Sequence, residues 1–338
     1  MSYSGVQKRL ILAISLVSAG VPLLMSGCGS PQKGDAAQFA TKSEAADGDK
    51  LDAVASESNQ LDRLHSTGPS ASEPGSSIAD SEPLETQTQS EPGGSSVDNA
   101  EIASGLSVLL FKNIKTKQNI HTLRSAGGRQ LSYWVFGDSG PVTLILGGMH
   151  GTEYTPTVLS AQFIEWLEAT PDAVVRGRIV VAPLVDPDGF ASRKRGNDHG
   201  VDLNRNYPAK NWRMRAGRHG LRPLSEPETR FVMELLEKFD PRCIVSIHGP
   251  LACVNYDGPA EELARRMSHA CGLPVRASVG YATPGSFGSF AGVDRGIPTI
   301  TLELRPGRAL DPDFDACRKA LMAAHEFSVE QMPERATD

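Results

Sequence analysis

The sequence lacks an excess of positive charge, and this excludes one broad class of function. Lys and Arg together number 34 and Asp and Glu 40, which gives a formal net charge of −6 over 338 residues. Domains that bind nucleic acids are usually basic, with Lys and Arg clustered on one face. Apolar residues make up 39% and charged residues 22%, which is ordinary for a globular protein. We therefore expect no nucleic-acid partner.

The apolar run near the N-terminus is too short for a typical membrane span, which needs about 20 residues. It extends from Leu10 to Met25, follows two basic residues and is interrupted by Gly20 and Pro22. A short positive segment, a short apolar core and small residues after it are typical of a secretory signal. We therefore predict a signal peptide over residues 1–28.

The end of this predicted signal resembles the bacterial lipobox, in which a cysteine is acylated and becomes the new N-terminus. The segment Leu24-Met-Ser-Gly-Cys28 carries the resemblance, although Met25 stands where leucine is usual. It implies lipidation of Cys28, and several acyl chains would hold the protein stably at a membrane. We expect a lipid-anchored protein of the cell envelope that faces the periplasm or exterior. A plainly secreted protein is the alternative.

The sequence also lacks a Cys-x-x-Cys pair, which argues against a zinc site built from cysteines. Four cysteines follow Cys28, and an exported protein can keep disulfides. Their pairing cannot be read from the sequence. The first lies in an apolar, strand-like run, which favours a buried free thiol. The four are Cys243, Cys253, Cys271 and Cys317.

Aromatic residues are almost missing from residues 29–105, where Phe39 is the single one. This segment is rich in Ser, Gly, Asp, Glu, Gln and Pro, and such a chain cannot bury enough apolar surface to offset its conformational entropy. We predict a disordered tether over residues 29–105. A small helical domain around Leu51–Leu64 is disfavoured because apolar residues are sparse there. The folded domain is then expected over residues 106–338.

Strand-like and helix-like segments alternate along this domain. We predict strands over residues 130–137, 142–148, 178–185, 242–248 and 299–304. We predict helices over residues 155–170, 225–239, 259–271 and 311–330. Ser225 and Glu228 form the pattern of a capping box at the start of the second helix. The alternation predicts an α/β fold with a mixed, largely parallel sheet flanked by helices.

Three residues that can bind a metal follow predicted strands. His150 and Glu153 lie just beyond the strand over 142–148, and His248 ends the strand over 242–248. Sites in such sheets form beyond the carboxyl ends of the strands. Catalytic zinc is commonly held by histidines and a carboxylate, with one position open. A lone histidine at a strand end is more often structural, so these residues alone only suggest a metal site.

Four further blocks accompany these residues. They are Asp186-Pro-Asp-Gly189, Val201-Asp-Leu-Asn-Arg-Asn-Tyr-Pro208, Ser225-Glu-Pro-Glu-Thr229 and Thr299-Ile-Thr-Leu-Glu-Leu-Arg305. In this order, with His-x-x-Glu before them, they make the chain resemble the zinc carboxypeptidase family of the carboxypeptidase A type. The resemblance extends from about Leu106 to the last helix. It implies the fold of that family and the activity of a zinc metallocarboxypeptidase.

The resemblance implies one zinc ion held by His150, Glu153 and His248. Glu303 matches the catalytic glutamate, which acts as general base on water and then carries the proton to the leaving amine. The chemistry is consistent, because zinc lowers the pKa of water and polarises the scissile carbonyl, and a nearby carboxylate can carry the proton. An ion pair between Glu303 and Arg305 is disfavoured because core strands resist charge.

Other positions match residues of the family that bind the substrate. Asn204 and Arg205 match the pair that binds the terminal carboxylate, a task suited to the planar guanidinium. Tyr281 matches the tyrosine that covers the substrate. An arginine is also expected to stabilise the developing oxyanion. Arg195 is favoured for this role, because Arg-x-Asn before the Asp-Leu-Asn-Arg block is the usual bacterial form, and Arg193 stays open as the alternative.

The segments over residues 248–253 and 279–290 look most like those of the murein peptide amidases within this family. These enzymes cleave the bond between γ-D-glutamate and diaminopimelate in cell-wall peptides. The position expected to form the floor of the side-chain pocket is Gly288, beside Ser286 and Ser289. Such a roomy, uncharged floor argues against a pocket built around an acid for Lys or Arg. Murein peptides are therefore the expected substrate.

Three other functions stay open from the sequence. A general metallocarboxypeptidase would use the same residues on ordinary peptides. A zinc amidohydrolase of the aspartoacylase or succinylglutamate desuccinylase kind shares the zinc layout, but the other blocks favour peptidases. A non-catalytic binding module would be indicated by loss of a ligand or of the base, and all of them are present.

Overall fold

The computed structural model describes residues 111, 114–116, 118–306 and 313–330. The predicted signal peptide, its acylated Cys28 and the predicted tether all lie outside these residues, and so do the first two residues of the predicted last helix. In the part of the chain that is described, no helix is both long enough and apolar enough to span a membrane.

Eight strands of the described part of the chain form one mixed sheet. They are β1 (Asn119–Arg124), β2 (Gln130–Phe136), β3 (Val142–Leu146), β4 (Arg178–Ala182), β5 (Cys243–His248), β6 (Cys253–Asp257), β7 (Val275–Arg276) and β8 (Thr299–Glu303). Their order across the sheet is β1-β2-β4-β3-β5-β8-β6-β7. The four central strands β4, β3, β5 and β8 are parallel, whereas β2 pairs antiparallel with β4 and β6 antiparallel with β8. The predicted mixed, largely parallel sheet is confirmed.

Among the residues that the structure describes, five α-helices connect or flank these strands. They are α1 (Tyr154–Ala169), α2 (Pro187–Ser192), α3 (Pro227–Phe239), α4 (Glu261–Cys271) and α5 (Asp313–Glu330). Two 3₁₀ turns cover Pro171–Ala173 and Leu203–Arg205, and a π-helical segment covers Gly288–Asp294. The predicted strands and helices are all present, with ends that differ by up to three residues. Strands β1, β6 and β7, helix α2 and the π-helical segment were not predicted.

The central strands separate two apolar cores, because alternate residues of a strand point to opposite faces. Ile145 and Val245 pack into one core with residues of α1, α4 and α5, such as Phe163, Met267 and Leu321. Leu144 and Ile244 pack into the other core, which helix α3 closes. Strands buried on both faces read as continuous apolar runs, which is why the central strands were predicted from the sequence alone.

The predicted capping box at Ser225 is wrong. The helix begins at Pro227 after Glu226, and no side chain caps it. Proline favours the first helical position because its ring fixes φ, so Pro227 sets the start. The side chain of Ser225 donates to the Glu226 carboxylate instead, over 2.6 Å. The fully buried Glu228 accepts from the backbone N–H of Ala126, in the turn between β1 and β2, over 2.8 Å.

The four cysteines of the domain are buried free thiols. The prediction for Cys243 is therefore confirmed, and its Sγ lies 3.3 Å from the carbonyl oxygen of Ala324 in α5. Burial raises the pKa of this thiol to about 12, which keeps it protonated and unreactive.

Candidate active site

The carboxyl ends of the parallel strands bring the predicted metal ligands together. His248 is the last residue of β5, His150 follows β3 by four residues, and Glu153 immediately precedes helix α1. One side-chain atom from each of the three lies within 4.8 Å of the others, and no other cluster of this kind occurs among the described residues. The structure therefore assembles the three residues that the sequence analysis singled out.

The Glu153 carboxylate lies between the two imidazoles. Its Oε1 is 2.7 Å from Nδ1 of His150, and its Oε2 is 3.2 Å from Nδ1 of His248. The backbone N–H of Gly249 donates to the same Oε2 over 3.2 Å. Two imidazole nitrogens and a carboxylate oxygen converging in a largely buried position are a donor set that suits catalytic zinc. The residues present thus fit the zinc ion that the sequence resemblance implies.

The other nitrogen of each imidazole is held by a second residue. Nε2 of His150 lies 3.0 Å from Oδ1 of Asp202, and Nε2 of His248 lies 3.0 Å from Oγ of Ser246. Such partners fix the orientation and tautomer of a histidine that binds metal. Asp202 was not singled out from the sequence. The sequence feature that could have indicated Asp202 is its position as the first residue of the Asp-Leu-Asn-Arg block.

The charges of this cluster depend on one another. Burial alone would lower the pKa of His150, but the carboxylates of Glu153 and Asp202 raise it to about 9. Burial opposes ionisation of Glu153 as well, yet the charge of His150 and hydrogen bonds from both histidines hold its pKa well below the usual range. The ionisation of each of these two residues therefore depends on the charge of the other.

Two glycines allow the turn that carries His150 and Glu153 to approach helix α2. A Cβ added at Gly151 would lie 1.8 Å from the carbonyl carbon of Gly189. Gly189 belongs to the Asp-Pro-Asp-Gly block, and its N–H donates over 2.7 Å to Asp186 at the start of α2. This block therefore acts as packing support for the metal-binding turn.

Glu303, the predicted base, ends strand β8 directly beside His248 in the sheet register. Its side chain is 7% exposed, and Oε2 accepts from the backbone N–H of Leu251 over 3.3 Å. Burial raises its pKa above the ordinary value for glutamate, although the neighbouring His248 acts against this. A carboxylate beside a metal site can accept a proton and return it.

A cleft of about 980 Å³ opens over these residues, and Arg195 lines it. Arg195 donates from Nε to Asp202 over 2.9 Å and from Nη1 to Glu153 over 3.3 Å. Arg193, the alternative from the sequence, ends helix α2 with a φ of 55° and does not line the cleft. The geometry therefore favours Arg195 over Arg193 for contact with a substrate.

Asn204 and Arg205 also line the cleft. Oδ1 of Asn204 accepts from the backbone N–H of Phe287 over 2.9 Å, so its amide nitrogen is the end without a partner among the described residues. Nη1 of the buried Arg205 donates to the carbonyl oxygen of Asn204 over 2.8 Å. A free amide donor beside a guanidinium suits a substrate carboxylate.

Tyr281 lies at the mouth of the cleft and is 39% exposed. Burial raises the pKa of its hydroxyl above the ordinary value, so it stays a neutral donor. The segment that carries it packs against the substrate-binding block through Gly285. A Cβ at Gly285 would lie 2.6 Å from the carbonyl oxygen of Arg205, and the φ of this residue is 71°.

The expected uncharged floor at Gly288 is not what the structure shows. Gly288 does line the cleft, but a Cβ built on it would lie 2.1 Å from a carboxylate oxygen of Asp257. Asp257, the last residue of β6, also lines the cleft. The glycine makes room for an acid, so the wall of the pocket includes a carboxyl group. Asp257 was not singled out from the sequence because strand β6 was not predicted.

Asn197 ties the loop that carries Arg195 and Asp202 to helix α3. Its Nδ2 donates to Glu226 over 2.8 Å and to Glu228 over 3.0 Å. Its Oδ1 accepts from the N–H of two loop residues, each over 3.1 Å. The side chain is buried and uses its whole hydrogen-bonding capacity. Asn197 therefore fixes the loop that positions both residues.

Comparisons with known proteins agree with this geometry. The sequence profile described as zinc carboxypeptidase matches residues 111–265. Murein peptide amidase A of Escherichia coli is 38% identical over 178 residues, which cover 48% of this chain and 71% of that protein. The chain belongs to the zinc carboxypeptidase family. It is accordingly a peptide hydrolase of a zinc-dependent family.

Further relatives support the family and the fold. Murein peptide amidase A of Vibrio campbellii is 34% identical over 179 residues, which cover 48% of this chain and 69% of that protein. The crystal structure of the Escherichia coli murein-tripeptide amidase is 34% identical, covers 63% of this chain and 92% of its own, and has a TM-score of 0.51. Bovine thrombin-activatable fibrinolysis inhibitor shares the fold at 21% identity, over 69% of this chain and 97% of its own, with a TM-score of 0.57.

Removal of one candidate ligand tests the metal site. We expect His248→Ala to lose bound zinc on dialysis, with affinity reduced about 100-fold or more, because only two protein ligands are left. Metal content by mass spectrometry measures this, and circular dichroism checks the fold. His269→Ala, at an exposed position in α4, is the matched control and should keep its zinc. Undiminished zinc in His248→Ala would contradict the assignment.

Because Asn197 contacts two glutamates, an acidic residue in its place should make the stability of the fold depend on pH. Asn197→Asp would place a third carboxylate against Glu226 and Glu228, so the new group should have a folded-state pKa above its unfolded value of about 3.9. The folded state then binds more protons, and stability falls as pH rises above about 4. We expect a loss of about 2 kcal/mol or more at pH 8 and a smaller one at pH 5.

Thermal unfolding at pH 5, 6, 7 and 8 measures this effect. Asn197→Ala removes the same hydrogen bonds without adding a charge, so its stability relative to wild type should depend less on pH. Equal pH dependence of the two variants would show that Asn197 is not in contact with ionised carboxylates.

Proposed function

We propose that the protein hydrolyses the bond between γ-D-glutamate and diaminopimelate in murein peptides, using one zinc ion held by His150, Glu153 and His248. The observation that supports hydrolysis most directly is the pairing of this ligand cluster with Glu303 on the adjacent strand end. A cluster without a base beside it would equally suit a structural metal. The peptide substrate follows the relatives whose names state murein peptides.

Zinc in this position would supply a Lewis acid that polarises the scissile carbonyl and lowers the pKa of water. Glu303 accepts a proton from the attacking water and delivers it to the leaving amine. Its raised pKa supports both halves of this task, because a carboxylate that is too acidic would not hold the proton. The backbone N–H of Leu251 keeps the carboxylate in place through Oε2.

Arg195 is assigned to the oxyanion that develops on the scissile carbonyl. It lies within 3.3 Å of Glu153, so its guanidinium is next to the metal ligands and faces the same cleft. Asp202 holds it through Nε, and a preorganised cation of this kind is effective because it needs no reorganisation during the reaction. Asn204 and Arg205 are assigned to the terminal carboxylate of the substrate, and Tyr281 covers the bound peptide.

The charges of the cleft support a substrate with several carboxylates. Four arginines line it, Arg195, Arg205, Arg215 and Arg218, against the three acids Glu153, Asp257 and Glu303. Diaminopimelate has two carboxylates, and a γ-linked glutamate leaves its α-carboxylate free, so a murein tripeptide presents more negative charge than an ordinary C-terminal peptide. Complementary charge favours such a substrate over neutral ones.

We propose further that the protein is exported and anchored through a lipid on Cys28 in the cell envelope, facing the periplasm or exterior. The signal-like run, the lipobox-like segment and the polar segment over residues 29–105 support this proposal. An anchored enzyme with a tether of this length could reach peptides some distance from the membrane, where murein peptides occur.

The substrate proposal is tested by Glu303→Gln and by a panel of peptides. We expect wild type to cleave L-Ala-γ-D-Glu-diaminopimelate faster than ordinary peptides that end in Phe, Leu, Lys or Arg. Glu303→Gln should keep its metal but lose activity by about 10³-fold or more, because the proton carrier is removed. Glu326→Gln, at an exposed position in α5, is the matched control. Faster release of ordinary C-terminal residues would overturn the murein assignment and leave the peptidase activity.

The anchor is tested by Cys28→Ser in the full-length chain. Wild type should label with radioactive palmitate in a bacterial host and sediment with membranes, because acyl chains partition into the bilayer. The variant should lose the label and move to the soluble fraction, whereas Ser30→Ala should behave as wild type. A wild-type protein without label would refute lipidation.

A further inference from the structure

Two arginines of the cleft have no part in the mechanism described above. Arg215 and Arg218 line it together with the metal ligands and Glu303. They belong to residues 203–225, a stretch without Asp or Glu in a chain of net charge −6. The Lys and Arg residues of this stretch are Arg205, Lys210, Arg213, Arg215, Arg218 and Arg222. Arg215 is exposed and Arg218 is half-buried, so a molecule in the cleft can reach both side chains. Residues 215–218 are called the basic turn below.

The backbone of the basic turn is closed by its own hydrogen bonds. The N–H groups of Arg218 and His219 both donate to the carbonyl oxygen of Arg215 over 3.1 Å. Gly217 has a φ of 70° in the turn, a conformation that glycine adopts without strain. Nδ1 of the buried His219 lies 2.8 Å from the carbonyl oxygen of Arg213 and donates to it, because a carbonyl oxygen only accepts. A turn that is ordered in advance loses little conformational freedom when its side chains bind an anion.

The basic turn is attached to the block that begins at Asp202. The N–H of Asp202 donates to the carbonyl oxygen of Arg218 over 2.9 Å. The carbonyl oxygen of the next residue, His219, accepts from Nδ2 of the buried Asn206 over 2.8 Å. Asp202 also accepts from Nε of Arg195. The turn therefore contacts the residue that positions the arginine assigned to the oxyanion.

The basic turn meets this block at its first residue, whereas the end of the block meets the segment of the side-chain pocket. There the N–H of Tyr207 donates to the carbonyl oxygen of Gly285 over 3.0 Å. The leaving residue of the substrate is assigned to this end through Arg205. The scissile carbonyl is assigned to Arg195, beside the first residue of the block. The acyl part of the peptide, which continues beyond that carbonyl, is then on the side of the basic turn.

The acyl residue of the proposed substrate carries a group that suits two guanidiniums. A glutamate linked through its γ-carbonyl keeps a free α-carboxylate a short chain away from the scissile bond, and this group is ionised at neutral pH. Guanidinium groups bind carboxylates through charge-assisted and often paired hydrogen bonds. Isoglutamine has the same shape but carries a neutral amide in place of the α-carboxylate, and its NH₂ group would face two cationic donors.

We infer that Arg215 and Arg218 form a subsite that binds the free α-carboxylate of a γ-linked glutamate on the acyl side of the scissile bond. The inference deepens the proposed function and rests on it, because the γ-glutamyl bond is what leaves this carboxylate free. Both arginines line the cleft, and the turn that carries them is attached to Asp202. The subsite would distinguish a murein peptide with a free glutamate carboxylate from one in which that group is amidated.

The test compares L-Ala-γ-D-Glu-diaminopimelate with the same peptide in which isoglutamine replaces glutamate. Wild type should prefer the free acid by at least about tenfold in kcat/KM, because the amide turns a donor towards two cations. The difference should lie in KM more than in kcat, because the group is remote from the reacting bond. The double variant Arg215→Gln/Arg218→Gln should lose the preference by losing activity on the acid. Activity that it keeps on the amide shows that the variant is folded.

A matched variant separates the subsite from the general charge of the segment. Arg222→Gln removes a positive charge from an exposed position of the same acid-free stretch, and Arg222 does not line the cleft. It should keep the wild-type preference for the acid. A loss of preference in Arg222→Gln as large as in the double variant would show that general attraction is responsible, and it would overturn the inference.

The outcomes also separate this inference from the proposed function. Equal kcat/KM for the two peptides in wild type, or a preference that survives in the double variant, would overturn the subsite and keep the murein assignment. Faster cleavage of ordinary peptides, with the acid still preferred over the amide and this preference lost in the double variant, would do the reverse. If neither γ-linked peptide is cleaved, calorimetric binding of L-Ala-γ-D-Glu and L-Ala-γ-D-isoglutamine decides. Tighter binding of the acid that is lost in the double variant would support the subsite, and equal affinities in wild type would refute it.

Discussion

The carboxylate of Glu153 joins two histidines that reach the site from different strands. It lies 2.7 Å from His150 and 3.2 Å from His248, and these residues follow β3 and β5, which are parallel neighbours in the sheet. The contacts are possible only because both strands end at the same edge, so the sheet order is a condition for the donor set. The charge of His150 and the hydrogen bonds from both histidines keep Glu153 ionised in spite of its burial. A carboxylate without these two neighbours would lack that stabilisation. The remaining parts of the site can be understood as means of keeping this arrangement in place.

Several buried acids in and near the site depend on neighbouring charges and hydrogen-bond donors. Burial would raise the pKa of Asp202, but the charges of His150 and Arg195 hold it well below the usual range. Burial, with the charge of Asp188 added, raises the pKa of Glu228 to about 7. Asn197 is what lets Glu226 and Glu228 lie side by side, since it donates to both. The loop with Arg195 is thus held by a network that is stable only while every donor is present.

The parts of the fold that the sequence predicted share one physical property. The central strands are buried on both faces, and their apolar runs are visible in the sequence. His150, Glu153, His248 and Glu303 could be placed because they follow such strands. The antiparallel strand β6 could not be predicted in this way, since Asn255 and Asp257 interrupt its apolar pattern. Nor could the Ser225 capping box be rejected from the sequence, because the partners of Glu228 are distant along the chain and are brought close only by folding.

In this fold, the residues assigned to the reaction and the residues that line the side-chain pocket lie on different kinds of element. The predicted metal ligands and Glu303 stand at or just after the ends of predictable parallel strands, which provide a rigid frame for proton transfer. The residues that line the side-chain pocket come from β6 and from the π-helical segment, where pairing and backbone form are set by long-range contacts. The identity of Gly288 alone therefore does not predict the chemistry of the pocket. That chemistry depends on whether an acid from another strand fills the space beside the glycine. Substrate preference therefore has to be argued from the folded pocket, whereas the reaction type can be argued from the order of the sequence blocks.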